Sequence, residues 1–124
     1  MTTKRGKKIS GGRYRKRRKR KAYEAVAKPR VVLLGEEKKK KIRITGGKIK
    51  IILLRTNRVN VMDPKTHKAK SVQIKNVIDV PSNKFLARKN ILMKGAVIDT
   101  EAGKAKITNR PGQEGCVQAV LLSD

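Results

Sequence analysis

From Arg30 onward the chain consists of short Ile- and Val-rich runs cut at close intervals by Gly-Gly, Asp-Pro, Pro-Ser-Asn, Ala-Gly and Pro-Gly. β-branched residues favour strands, and the punctuation marks tight turns, so the pattern describes an all-β body. The expected form is mainly all-β, a small antiparallel, barrel-like meander.

Its clearest unit is KIRITGGKIKIILL, Lys41 to Leu54. Reading Gly46-Gly47 as a two-residue hairpin turn sets Thr45 opposite Lys48, Ile44 opposite Ile49, Arg43 opposite Lys50 and Ile42 opposite Ile51. One side is then apolar through Ile42, Ile44, Ile49, Ile51 and Leu53, and the other carries Lys41, Arg43, Lys48 and Lys50. Arg43 and Lys50 directly opposed would repel each other, and an external anion would relieve the repulsion.

Further strands are expected over Val59 to Met62, Ser71 to Ile78, Gly95 to Asp99, Lys104 to Thr108 and Cys116 to Leu122, with MDPKTHKAK as a turn between two of them. PSNKFLARKN suits a short helix capped by Ser82 or Asn83, with Leu86 toward the core and Phe85 near Lys89. NRPGQEG, Asn109 to Gly115, places Pro and Gly as a type II turn would, joining the last two strands.

The first 30 residues are of another kind. They hold 14 Lys and Arg against one acid, Glu24, whereas residues 31–124 hold 20 against eight. Few large apolar residues precede Val26, so this segment is expected to be a basic, extended N-terminal arm (1–30) on a β-barrel-like body (31–124). At 124 residues the whole is the size of one domain.

A net charge of +25 implies a polyanionic partner, with nucleic acid ahead of an acidic membrane surface. Arg13 to Lys21 is basic at every position but Tyr14. Such density repels itself in water but releases counterions on contact with phosphates. Gly11-Gly12 reads either as a hinge or as backbone that approaches phosphates closely. Tyr14 and Tyr23 read either as base-stacking rings or, for Tyr23, as an anchor onto the body. Arg55 and Arg58 flank Asn57 in a polar insertion between two strands, and Lys38 to Lys41 is a second basic tract.

Other functions fit poorly. A single Cys116 and a single His67 leave no internal disulfide and make a Cys/His zinc site implausible. Asp63, Asp99, Glu101 and Glu114 fall in turns without a forced pairing, and neither a Walker loop nor a nucleophile elbow is present. No apolar run reaches the roughly 20 residues of a membrane helix. No enzyme activity, cofactor, metal, membrane or small-molecule substrate is therefore expected.

The order of motifs is specific: Ser10-Gly11-Gly12, the Arg/Lys run, Tyr23-Glu24, the Gly-Gly hairpin, VMDPKT, then RKNILMKGAVIDTEAGKAKITNRPGQEG. It resembles the S8e family of small-subunit ribosomal proteins in its short archaeal form, over nearly the whole chain. Ala25 and Val26 depart from the family's usual Leu-Gly after the Glu. The resemblance implies a structural constituent of the cytoplasmic 30S subunit that binds 16S ribosomal RNA beside other small-subunit proteins. The alternatives are a ribosome-assembly factor or RNA chaperone built on the same domain, and, less well matched, a DNA-compacting protein.

The resemblance marks Ser10, Gly11, Gly12 and Arg13 as the signature segment and Asn109, Arg110, Pro111, Gly112 and Gly115 as the C-terminal loop. Together with the charge pattern, it nominates Lys7, Lys8, Ser10, Gly11, Gly12, Arg13, Arg15, Lys16, Arg17, Arg18, Lys19, Arg20 and Lys21 in the arm as RNA contacts. Those in the body are Arg43, Lys48, Lys50, Arg55, Arg58 and Arg110.

Overall fold

The computed structural model describes residues 6–14, 18–24 and 29–122. Among these residues, nine strands and two short α-helices follow one another as β1 (Val32–Leu34), β2 (Lys38–Arg43), β3 (Ile49–Thr56), β4 (Arg58–Met62), β5 (Ala69–Asp79), α1 (Lys84–Arg88), β6 (Ile91–Leu92), β7 (Val97–Thr100), β8 (Gly103–Ile107), α2 (Pro111–Glu114) and β9 (Gln118–Leu121). The body is all-β, as expected, with a closed barrel in the order β4-β5-β7-β8-β9. Parallel pairing of β4 with β9 closes it. Beside it lies a second sheet that the sequence reading did not separate, ordered β2-β3-β1-β6.

Alternation builds the barrel. Along β4, Val59 and Val61 are buried while Arg58, Asn60 and Met62 are exposed. Ile74, Val77, Ile98, Ala105, Ile107 and Ala119 complete that interior, and Val32, Leu53 and Leu92 of the second sheet join the same cluster. Each fully buried aliphatic side chain contributes about 1.5–3 kcal/mol, so the near-absence of aromatics is no obstacle to a compact core. The chain passes between sheets at Asn57, where Thr56 Oγ1 accepts from the Arg58 N–H at 3.1 Å. Arg55 is therefore the penultimate residue of β3 and Arg58 the first of β4, and the insertion between the two strands shrinks to one residue, Asn57.

The β2–β3 hairpin is one residue out of the expected register. The Ile44 N–H donates to the Lys48 carbonyl at 2.8 Å, enclosing a three-residue loop, Thr45–Gly47, with both glycines at positive φ. Arg43 then faces Ile49, Ile42 faces Lys50 and Lys41 faces Ile51. A one-residue slip exchanges the faces of one strand relative to the other, so the expected apolar and basic sides are replaced by two mixed ones. Ile49 and Ile51 are exposed, and the opposition of Arg43 and Lys50 does not occur.

A smaller difference concerns a helix. In NRPGQEG the glycine in the left-handed region is Gly115, not Gly112, because Pro111 starts α2 and Gly115 terminates it. The expected helix is present as α1, where Asn83 Oδ1 caps the Phe85 N–H at 3.0 Å and Leu86 packs on the core. The Arg88 guanidinium stands over the Phe85 ring, 6.0 Å from its centroid.

Candidate nucleic-acid interface

Residues 7–13 form a miniature hairpin. The Gly11 N–H donates to the Lys8 carbonyl at 2.9 Å, and the Lys8 N–H donates to the Gly12 carbonyl at 2.7 Å. Gly11, at φ 77, occupies the left-handed position that ends a three-residue hairpin loop of Ile9, Ser10 and Gly11. Open space surrounds the place a Cβ would take there, so the demand for glycine comes from the backbone alone. Of the pair, Gly11 commits its amide to the turn, and Gly12 commits its carbonyl, which accepts from the Lys8 N–H.

That turn brings Lys7 and Arg13 into direct antiparallel register. Like charges so placed repel, and the Lys8 ammonium stands a further 5.6 Å from the Tyr14 ring centroid. The like-charge opposition that the sequence reading assigned to Arg43 and Lys50 thus occurs in the arm instead. It recurs in the body, where Lys38 faces Arg55.

A second arm segment is folded around the arm's one acid. Arg18 forks onto Glu24, with Nη1 to Oε2 at 2.8 Å and Nη2 to Oε1 at 2.6 Å. Glu24 Oε2 also accepts from the Lys21 N–H at 3.1 Å, and the Glu24 N–H donates to the Lys21 carbonyl at 3.0 Å. Lys19 and Arg20 are exposed between the two ends of this clip. Tyr23 is exposed beside the Lys21 ammonium, 5.9 Å away, and does not anchor the arm to the body. Arg15, Lys16, Arg17, Ala25 and Val26 lie outside the described residues.

The Arg18 guanidinium, followed by the Lys21 amide, holds the Glu24 carboxyl below the ordinary glutamate value of 4.5. A depressed folded value means that the clip is fully formed above about pH 4.5 and is lost as pH falls through the depressed value. An NMR titration of the Glu24 side-chain carboxyl carbon should give a midpoint below 4.5, moving up toward it in Arg18→Gln. A midpoint at or above 4.5 in the unmodified chain would remove the clip.

The body contacts nominated from sequence fall into three groups. Arg43 and Lys48 stand at the tip of the β2–β3 hairpin, both exposed, while Lys50 is half-buried on the face shared with Ile42. Arg55 and Arg58 lie at the opposite end, near Lys38 and the Glu37–Lys39 ion pair. That pair holds the Glu37 carboxyl below its ordinary value, with the Arg58 charge a lesser cause. Arg110 sits apart, at the start of α2. Sequence reasoning did not find Arg30 and Lys94, which border a cleft with Arg110; as single cations outside any run they carry no local signal.

The acids and the thiol have local roles. Asp63 Oδ1 accepts from the Lys65 N–H and Oδ2 from the Thr66 hydroxyl, both at 2.9 Å, which lowers its carboxyl below the ordinary aspartate value. It is a turn former, as its place before Pro64 implies. Cys116 is half-buried, and its carbonyl accepts from Asn109. No group of three or more His, Cys, Asp or Glu able to hold a metal ion occurs among the described residues. Nor is any helix among them long and apolar enough to cross a membrane.

A family model described as ribosomal protein S8e matches residues 2–122. A relative named small ribosomal subunit protein eS8, from Methanococcus aeolicus, is 46% identical over 121 residues, covering 95% of this chain and 93% of its own length. The protein of the same name from Nanoarchaeum equitans is 46% identical over 114 residues, or 92% and 90% of the two chains. That from Saccharolobus solfataricus is 44% identical over 119 residues, or 95% and 90%. With likeness of this extent running through arm segments and β body alike, the chain belongs to the ribosomal protein S8e family.

Proposed function

We propose that the chain is a non-enzymatic structural component of the small (30S) subunit of cytoplasmic ribosomes, binding 16S ribosomal RNA and adjoining other small-subunit proteins. Residues 1–30 act as a basic arm laid between RNA helices, and residues 31–124 as the docking body. The ribosomal role rests on the relatives' names. The RNA role rests on one observation: cations are opposed in register, Lys7 to Arg13 and Lys38 to Arg55. Two ion pairs, Arg18 with Glu24 and Lys39 with Glu37, are all that the described residues contain. The compensating anions therefore come from outside, and backbone phosphates supply them at matching density.

Small subunits purified from the source organism and washed in high salt should retain the chain at one copy per 16S RNA. Loss in that wash would replace this reading with a transient assembly factor or RNA chaperone.

A further inference from the structure

Most of the loop Asn109 to Gly115 has an internal task. Asn109 ties the strand ends together, and Pro111 is buried at the first turn of α2. A Cβ on Gly112 would come within 3.1 Å of the Arg30 carbonyl oxygen, so glycine lets the chain leading into β1 cross closely over α2. Glu114 accepts from Asn109 Nδ2 at 3.1 Å and from the Arg110 N–H at 3.4 Å. Gly115 terminates α2 against β3, its Cβ position 3.2 Å from the Ile51 carbonyl oxygen.

Arg110 and Gln113 remain. Both are exposed, and neither side chain takes part in a hydrogen bond or ion pair among the described residues. Both border the same cleft of about 400 Å³, whose apolar wall is formed by Pro29 and Met93 above the buried Leu92. Arg30 and Lys94 complete the rim. Among the described residues, three cations and no acid line it.

We propose that this cleft holds a single RNA nucleotide, its base unstacked from the chain and its phosphate on the cationic rim. The proposal rests on the RNA-binding reading above and adds a defined site to it. A volume of about 400 Å³ is at the small end of ligand sites, too narrow for a helix and suited to one nucleotide. The apolar wall and the guanidinium planes of Arg30 and Arg110 offer faces to a base, a role that aromatic rings fill in most single-stranded RNA sites. The Gln113 carboxamide carries both a donor and an acceptor for the base edge. An acidic peptide would satisfy the cations while leaving the wall and Gln113 without a matching group.

The test uses the full chain and a full-length 16S ribosomal RNA transcript, with affinity measured across salt concentration. Arg110→Ala should weaken binding about tenfold and reduce the log-log salt slope by about 0.7–0.9, the loss of one phosphate contact. Gln113→Ala should weaken binding about threefold or more with the slope unchanged, since it removes a base contact and no charge. Because Gln113 supports nothing inside the fold, its variant should keep the parent melting temperature. A Gln113→Ala variant that binds like the parent, or photo-crosslinks from 4-thiouridine-substituted RNA that avoid residues 92–94 and 110–113, would overturn the cleft site alone. Failure of the parent chain to bind the transcript at all would overturn both this site and the reading beneath it.

Discussion

Removing residues 1–21 is expected to lower affinity for 16S ribosomal RNA about a thousandfold at 0.1 M salt. The deletion takes away 12 of the 34 Lys and Arg, including the opposed Lys7 and Arg13 and the clipped Arg18. With about eight phosphates engaged, the intact chain should show a log-log slope near −6, and the truncated chain one near −3. Three units of slope over the decade between 1 M and 0.1 M salt give the thousandfold figure, if the two chains converge where electrostatics is screened. The β signature in circular dichroism should persist, because the core cluster runs from Val32 to Ala119. An unchanged slope would transfer the binding to the body, and a collapsed β signal would abolish the division between arm and body.

The barrel was legible in the sequence because its turns are chemically marked and its strands alternate locally. Val59 and Val61 against Asn60 and Met62 need no long-range information to be read as one strand. The second sheet left no such trace. Val32–Leu34 and Ile91–Leu92 are too short for a period, and their partners lie far away in sequence: Leu33 meets Arg55 in parallel, and Val32 meets Leu92. The hairpin register escaped for a different reason. With Ile49 and Ile51 both exposed, little burial discriminates between pairings one residue apart, and the loop geometry decides. Three residues in that loop, in place of two, move Arg43 off Lys50 and onto Ile49.

The candidate site was legible as charge and not as shape. Counting cations nominated residues 1–30 as an arm, yet nothing in SGGR distinguishes a free joint from the turn that sets Lys7 against Arg13. Lys38 opposite Arg55 depends on a register shift between Lys38 and Lys39 that no local pattern announces. The cleft was invisible for the same reason that the second sheet was. Arg30, Lys94 and Arg110 are single cations from three separate stretches, joined only where the chain entering β1 passes over α2.

Replacing Asn109 with alanine is expected to cost about 3 kcal/mol of stability and to lower Tm by roughly 12–20 °C. Asn109 is only 8% exposed. Its Oδ1 accepts from the Gln118 N–H at 3.1 Å, while Nδ2 donates to the Cys116 carbonyl at 2.9 Å and to Glu114 Oε2 at 3.1 Å. One carboxamide thus joins the end of β8 to the start of β9 across the whole of α2. Truncation strips a partner from the Gln118 N–H, the Cys116 carbonyl and the exposed Glu114 carboxylate, and each of the two backbone groups costs about 1–3 kcal/mol where water cannot reach it. Asn109→Asp keeps the shape and one acceptor but loses both donors and sets a carboxylate against Glu114, so at neutral pH it should be less stable than the alanine variant. Reversible thermal unfolding followed by circular dichroism gives all three values, and a loss under about 1 kcal/mol in Asn109→Ala would show that the tie is dispensable. Arg110 and Gln113 hang from the loop that this side chain fixes. Where Asn109→Ala is still fully folded, its affinity for the RNA transcript should therefore fall although no contacting group has been removed.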